Sequence, residues 1–136
     1  MVAPSGSYRI AAYTAAAQAL GKPLLVVSNS EHSLVPDVAN GITVDFDQPE
    51  HALETILATL ATKEVACVLA TDDSCVALCR RLADRLKLPH NKPDSALLTQ
   101  RKDLGRVALA RGGCNTPMFQ RLALAGLDAS KLTLPY

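Results

Sequence analysis

A chain of 136 residues is the size of one domain, and 14 Lys and Arg against 13 Asp and Glu leave a net charge of +1, which offers no electrostatic footprint for nucleic acid or a membrane surface. Hydrophobic residues make up 49% and aromatics only 4%, so the core must be built from Ala, Leu and Val, a composition suited to helices lying closely on a sheet. No apolar run approaches the roughly 18–20 residues that cross a bilayer, and the opening MVAPSGSYR has no basic leader, so a cytoplasmic home is expected.

The chain opens on a stub of strand at Met1 to Ala3. Tyr8 to Leu20 is Ala-rich and reads as a slim helix ended by Gly21. Leu24-Leu25-Val26-Val27, after a Gly-Lys-Pro break, is a short continuous apolar run of the doubly covered strand type. Ile42-Thr43-Val44-Asp45-Phe46 alternates between Gly41 and Gln48-Pro49, the pattern of a strand at a sheet edge. From Pro49, the positions Leu53, Ile56, Leu57 and Leu60 form one apolar helical stripe. Ala66-Cys67-Val68-Leu69-Ala70 repeats the continuous apolar pattern, so a second central strand is expected there. From Ser74, the stripe Cys75, Leu78, Cys79, Leu82 and Leu86 predicts a further helix, with Asp73 or Ser74 as its N-cap. Beyond Leu88-Pro89, Asp94 to Gln100 and Lys102 to Arg111 read as two short helices, the second ended by Gly112-Gly113. Met118 to Leu122 reads as a short strand, and the tail to Tyr136 shows no clear element.

This alternation of strands and helices predicts an α/β fold: an open, mainly parallel sheet of about four strands with helices on both faces, Rossmann-like, over residues 1–92. Residues 93–136 form a helical connection after it. In such sheets ligands bind outside the carboxyl ends of the strands. That rule selects Ser5-Gly6-Ser7-Tyr8-Arg9, Ser28-Asn29-Ser30 and Thr71-Asp72-Asp73.

The Ser5-Gly6-Ser7 turn can expose amides at a helix N-terminus, with two hydroxyls and Arg9 to hold a carboxylate or phosphate. An ordinary strand-to-helix turn with Ser as N-cap explains it as well. The turn is neither a G-x-G-x-x-G dinucleotide loop nor a P-loop, for it has one Gly and no Gly-Lys-Ser/Thr. In the acidic pair, Asp73 is expected to cap the next helix, which leaves Asp72 to face the crevice and accept hydrogen bonds from a ligand amine or hydroxyl. A phospho-receiver domain carries its acidic pair after the first strand, where this chain has none. Cys75 and Cys79 stand four apart, as metal ligands on a helix can, but both lie in the apolar stripe and suit core packing better. With Cys67 they occupy expected buried positions, and Cys114 completes four free thiols. His32, His51 and His90 are isolated from any nucleophile.

Two stretches resemble one family. Val68 to Phe119 carries the acidic strand end Asp72-Asp73, the Leu86-Lys87-Leu88-Pro89 break with Asn91, then Lys102 with Arg106 and the phrase Gly113-Cys114-Asn115-Thr116-Pro117. Upstream stand Ser7-Tyr8-Arg9, Ala15-Ala16-Ala17 and Leu20-Gly21. Together they resemble the N-terminal, pre-ATP-grasp domain of ATP-grasp carbon–nitrogen ligases, in the subgroup similar to carbamoyl-phosphate synthase large chains and biotin carboxylase.

The resemblance implies a domain that helps to bind the acceptor substrate, with Lys102 reaching the nucleotide; the strand-end rule then puts Ser5, Gly6, Ser7, Arg9, Asp72 and Asp73 on the substrate side. It implies ATP and Mg²⁺ as cofactors of a longer parent that activates a carboxylate and joins it to an amine. The implied partners are a small carboxylate or amine substrate, the ATP-grasp domain of the same polypeptide and, as a compatible assembly, a homodimer. Three features depart from the family pattern. The first strand is very short, Arg101 stands before Lys102 where many members have Asp or Asn, and the chain stops at Tyr136, where the strands bearing the second nucleotide lysine and the acidic metal ligands would begin. By itself the chain is expected to be inactive. The alternative is a free-standing Rossmann-like module that holds a nucleotide or anion without catalysis.

Overall fold

The computed structural model describes residues 1–29, 40–123 and 125. They divide into two compact units, Met1–Ala96 and Leu97–Tyr136.

In the first unit, β1 (Leu25–Ser28) and β2 (Asn40–Thr43) pair in parallel, with Leu25 opposite Asn40 and Ser28 opposite Thr43. Val2 adds one parallel bridge to Val27 and another to Ala70. Its amide donates to the Leu69 carbonyl at 2.8 Å and its carbonyl accepts from Thr71 N–H at 3.1 Å. On its other side Ala3 N–H reaches the Val27 carbonyl at 2.9 Å. The lateral order is therefore Ala70, Val2, β1, β2. Of the four expected strands, two are regular among the described residues, while the other two are reduced to isolated bridges at Val2 and Ala70. The cause lies in Pro4, which follows only three residues and has no N–H with which to carry a ladder on.

The segment 66–70 departs further from expectation. Val68 and Ala70 pack on the core, but Cys67 is exposed and Leu69 is 42% exposed, so the run is covered on one face only. A continuous apolar run does not reveal how many of its faces are covered. The alternating segment at 42–46 also shifts: its strand runs over Asn40–Thr43, and the amide of buried Val44 makes a last bond to the Ser28 carbonyl at 2.8 Å. Among the described residues β2 pairs with β1 alone, as an edge strand does.

Two clusters define the two faces of the sheet. Val2, Val27 and Val44 meet Ala52, Leu53 and Ile56 of α2 (Pro49–Leu60) and Leu78, Cys79 and Leu82 of α3 (Val76–Arg85). Ala3 and Val26 on the opposite face meet Ile10 of α1 (Ile10–Ala19). Strand side chains alternate sides, which is why neighbouring Val26 and Val27 serve different clusters. Burying a Leu or Ile fully contributes roughly 1.5–3 kcal/mol, so Leu53 and Ile56 anchor α2 to this sheet. On the surface, Arg81 Nη2 donates to both carboxylate oxygens of Glu50 at 2.5 and 2.6 Å, linking α3 to α2.

The helix ends follow local chemistry. Gly21 closes α1 at φ +61°, with Gly21 N–H bonded to the Gln18 carbonyl and Lys22 N–H to the Ala17 carbonyl, a Schellman pair. Lys87 makes the same turn after α3 at φ +56°, where a side chain is uncommon. α1 itself is shorter than the expected Tyr8 to Leu20, because residues 5–9 form a turn with Ser7 N–H on the Pro4 carbonyl.

In the second unit α5 (Lys102–Arg111) follows α4 (Ser95–Gln100), which begins just before the division; Asp94 lies outside it. A Cβ on Gly105 would stand 2.7 Å from the Leu98 carbonyl oxygen, so only glycine lets α5 approach α4 this closely. Gly113 ends α5 at φ +81° with a third Schellman pair. Arg106 lies over the Phe119 ring at 5.6 Å. No strand forms at 118–122, where Met118 is 88% exposed; neither backbone pairing nor burial holds those residues in a ladder. The tail from 126 onward lies outside the described residues.

Candidate functional site

The carboxyl ends of three sheet segments come together through side chains that their turns present. Asn29, just past β1, accepts the Ser5 amide on its Oδ1 at 2.9 Å. Ser7 Oγ stands 3.2 Å from Thr71 Oγ1. Arg9 Nη1 donates to the Thr71 carbonyl at 2.5 Å, and the same guanidinium lies over the Tyr8 ring at 5.2 Å. Thr71 is thus the hub: it is buried, and it ties the turn before α1 to the end of the segment next to Val2. Sequence reasoning selected Thr71 and Asn29 by position but gave them no part. Their signal was only that each follows an apolar run and carries a short polar side chain.

Asp72 does the work expected of Asp73. Its Oδ1 accepts from Ser74 N–H at 3.1 Å and from Ser74 Oγ at 2.9 Å, capping the 3₁₀ turn Asp73–Cys75 that leads into α3. These Ser74 hydrogen bonds, backbone first, hold the Asp72 carboxyl below the usual carboxylate range, and nearby Arg9 acts in the same direction. Asp73 lies in the first turn, one residue beyond the cap. Capping needs an extended residue before the turn, and Asp72 with φ −148° and ψ 154° meets that need.

The N-terminus of α1 is built differently. Its N-cap is Arg9, with no capping side chain and no acidic residue in the first turn. The first amides of any helix lack intrahelical acceptors, and an adjacent cation adds to the positive end of the dipole. Gly6 and Ser5 in the preceding turn are exposed, and a Cβ on Gly6 would meet nothing within 4 Å. Ser30, selected with Ser28 and Asn29, lies outside the described residues, as does His32.

Lys102, in the second unit, is the first residue of α5 and is exposed. Arg101 before it is bidentate to Asp103 at 2.7 and 2.9 Å, and Arg121 lies 3.7 Å from the same carboxylate. The Arg101 contact is the main cause that brings the Asp103 carboxyl down to about 2.

The other candidates take structural places. Cys75 and Cys79 are buried in the core, and burial pushes the Cys79 thiol up to about 12. Cys67, expected to be buried, is exposed, as is Cys114, and all four are free. His51 is exposed on α2, and His90 sits 3.3 Å from Asp84 at the end of α3. Among the described residues no three His, Cys, Asp or Glu side chains converge as metal ligands, and no helix is long and apolar enough to cross a membrane.

Comparison with known proteins adds a family. A model described as the ATP-grasp N-terminal domain matches residues 14–90, more than half of the chain. Among solved structures, an L-amino acid ligase from Bacillus licheniformis superposes with a TM-score of 0.77 at 21% identity, over 98% of this chain. At that identity the likeness concerns the fold. The chain spans 35% of the length of that ligase. No curated protein sequence matches.

Proposed function

The chain belongs to the ATP-grasp N-terminal domain family, and from that premise we propose that it is the substrate-side domain of an ATP-dependent carboxylate–amine ligase. Residues 1–92 would form the substrate-side domain and 93–136 its connection to an ATP-grasp domain in the same polypeptide. The observation that carries the reading is the joined set of strand ends around Thr71, which puts hydroxyls, a guanidinium and a carboxylate at the place where open α/β sheets bind ligands. In this assignment Ser5, Gly6, Ser7 and Arg9 meet an anionic group of the substrate. Asp72 keeps Oδ2 for an amine or hydroxyl while Oδ1 caps the turn, and Asp73 lies beside it. Since the superposed protein is an L-amino acid ligase, a small amino acid is the natural first substrate to test.

ATP and Mg²⁺ are the cofactors that the family implies for a complete enzyme. Lys102 fits a contact to nucleotide phosphate: a cation on the first turn of a helix works against the dipole, so helix stability does not explain it. The nearby carboxylate of Asp103 is occupied by Arg101. The described residues do not fit Mg²⁺, for they bring no carboxylate cluster together. Holding Mg²⁺ would therefore depend on parts beyond the described residues. ATP turnover is the test. Purified 1–136 should release no ADP, whereas the product of a longer reading frame containing an ATP-grasp domain should release ADP only when a substrate acid and amine are both present. ADP release by 1–136 alone, or a longer protein indifferent to substrate, would overturn the proposal.

A further inference from the structure

Ser28 is the last residue of β1; it is 2% exposed, and its hydroxyl is the buried side-chain group that finds no hydrogen-bond partner among the described residues. Buried hydroxyls in folded proteins nearly always have a partner, so an orphan at a strand's carboxyl end points to something that is bound there. Alternation fixes the side on which it lies. Val26 faces Ile10 and α1, so Ser28, two residues on, leaves the strand on that same face, nearer the carboxyl end where α1 begins. The two observations are independent. Above lies a ten-residue helix whose N-terminus has no capping side chain and no acidic first turn, and whose N-cap Arg9 turns its guanidinium to the Thr71 carbonyl. Below lies a hydroxyl with nothing to bond.

We infer that Ser28 is the inner donor of a small-anion subsite under the first turn of α1, taking one oxygen of a carboxylate or phosphoryl group whose outer oxygens face the Gly6 to Arg9 turn. The inference rests on the proposed substrate side of the domain and adds to it a residue and a ligand chemistry. Since Ser28 Oγ is out of solvent, the anion reaches it by displacing the exposed Ser5-Gly6 turn, where the space around Gly6 is open.

The test compares wild-type 1–136 with Ser28→Ala in parallel titrations with acetate and inorganic phosphate, read from the amide shifts of Gly6, Ser7 and Tyr8. Whichever anion binds the wild type identifies the source of the oxygen. Loss of a hydrogen bond to a charged ligand should weaken that anion by about ten-fold or more in Ser28→Ala. The thermal midpoint should hold or rise, because an unsatisfied hydroxyl is removed. Unchanged affinity in Ser28→Ala would overturn the inference while leaving anion binding at the turn intact. A fall in midpoint would also overturn it, by showing that the hydroxyl has a structural partner. If neither anion shifts the wild-type amides, the turn is no anion site and both readings fall.

Discussion

Replacing Gly6 by alanine separates folding from ligand binding at the turn before α1. The glycine does not lie in the left-handed region, and an added Cβ would meet no atom within 4 Å, so alanine fits without strain. In that situation the dominant effect is on the unfolded chain, which loses conformational freedom, and Gly→Ala stabilises by about 0.4–1 kcal/mol. For a chain of this size the thermal midpoint should rise by about 1–4 °C. Binding should move the other way. A methyl group at the lip of the Ser5–Arg9 turn occupies space that an approaching anion needs, so affinity for a small carboxylate or phosphate should fall. Urea and thermal melts followed by circular dichroism give the first quantity, and amide-shift titrations give the second. Destabilisation by more than about 0.5 kcal/mol would show instead that the turn requires glycine for its own backbone.

Gly21→Ala should behave in the opposite manner: its φ of +61° puts alanine in the left-handed region at a cost of roughly 1–2 kcal/mol, offset in part by the unfolded state, and a lowered urea midpoint at unchanged slope checks it. Thiol reagents at pH 8 should modify Cys67 and Cys114 rapidly and leave Cys75 and Cys79 unmodified until denaturant is added, with peptide mapping as the readout. Asp72 and Asp103 are held below the ordinary carboxylate range when folded, so the stability they contribute is present above about pH 4 and lost as pH falls towards 2. Acid titration of Asp103→Asn should therefore show a shallower loss over that window than wild type. In a chain extended through an ATP-grasp domain, Lys102→Ala should weaken ATP by about 10- to 150-fold, as expected for a charge-assisted contact of roughly 1.5–3 kcal/mol, with the melting temperature nearly unchanged; calorimetry would measure it.

Helices were legible in the sequence wherever one face is buried and the other wet. Leu53, Ile56, Leu57 and Leu60 mark α2 because a helix on a sheet needs one stripe, and Leu78, Cys79 and Leu82 mark α3 for the same reason. Strands were less legible, since an apolar run states burial but not the number of covered faces. Leu25–Ser28 is enclosed by α1 on one side and by α2 and α3 on the other, whereas 66–70 turns Cys67 and Leu69 outward, and no local feature separates the two runs. Of the candidate site, the position of each turn could be read but its wiring could not. The capping role fell to Asp72 because the backbone is extended there, which is a matter of one dihedral pair and not of residue type. Thr71 became the hub through contacts 62 and 64 residues away in sequence, which no local pattern encodes.

On the proposed function, the strand ends around Thr71 face a substrate and not a nucleotide. One measurement addresses it: paired amide-shift titrations of 1–136 with L-alanine and with adenosine, read at Gly6, Ser7, Thr71 and Asp72. A substrate-side domain predicts saturable shifts at these residues with the amino acid and none with the uncharged nucleoside. Shifts at the same residues with adenosine, and none with L-alanine, would contradict it and make the chain a nucleotide-binding module.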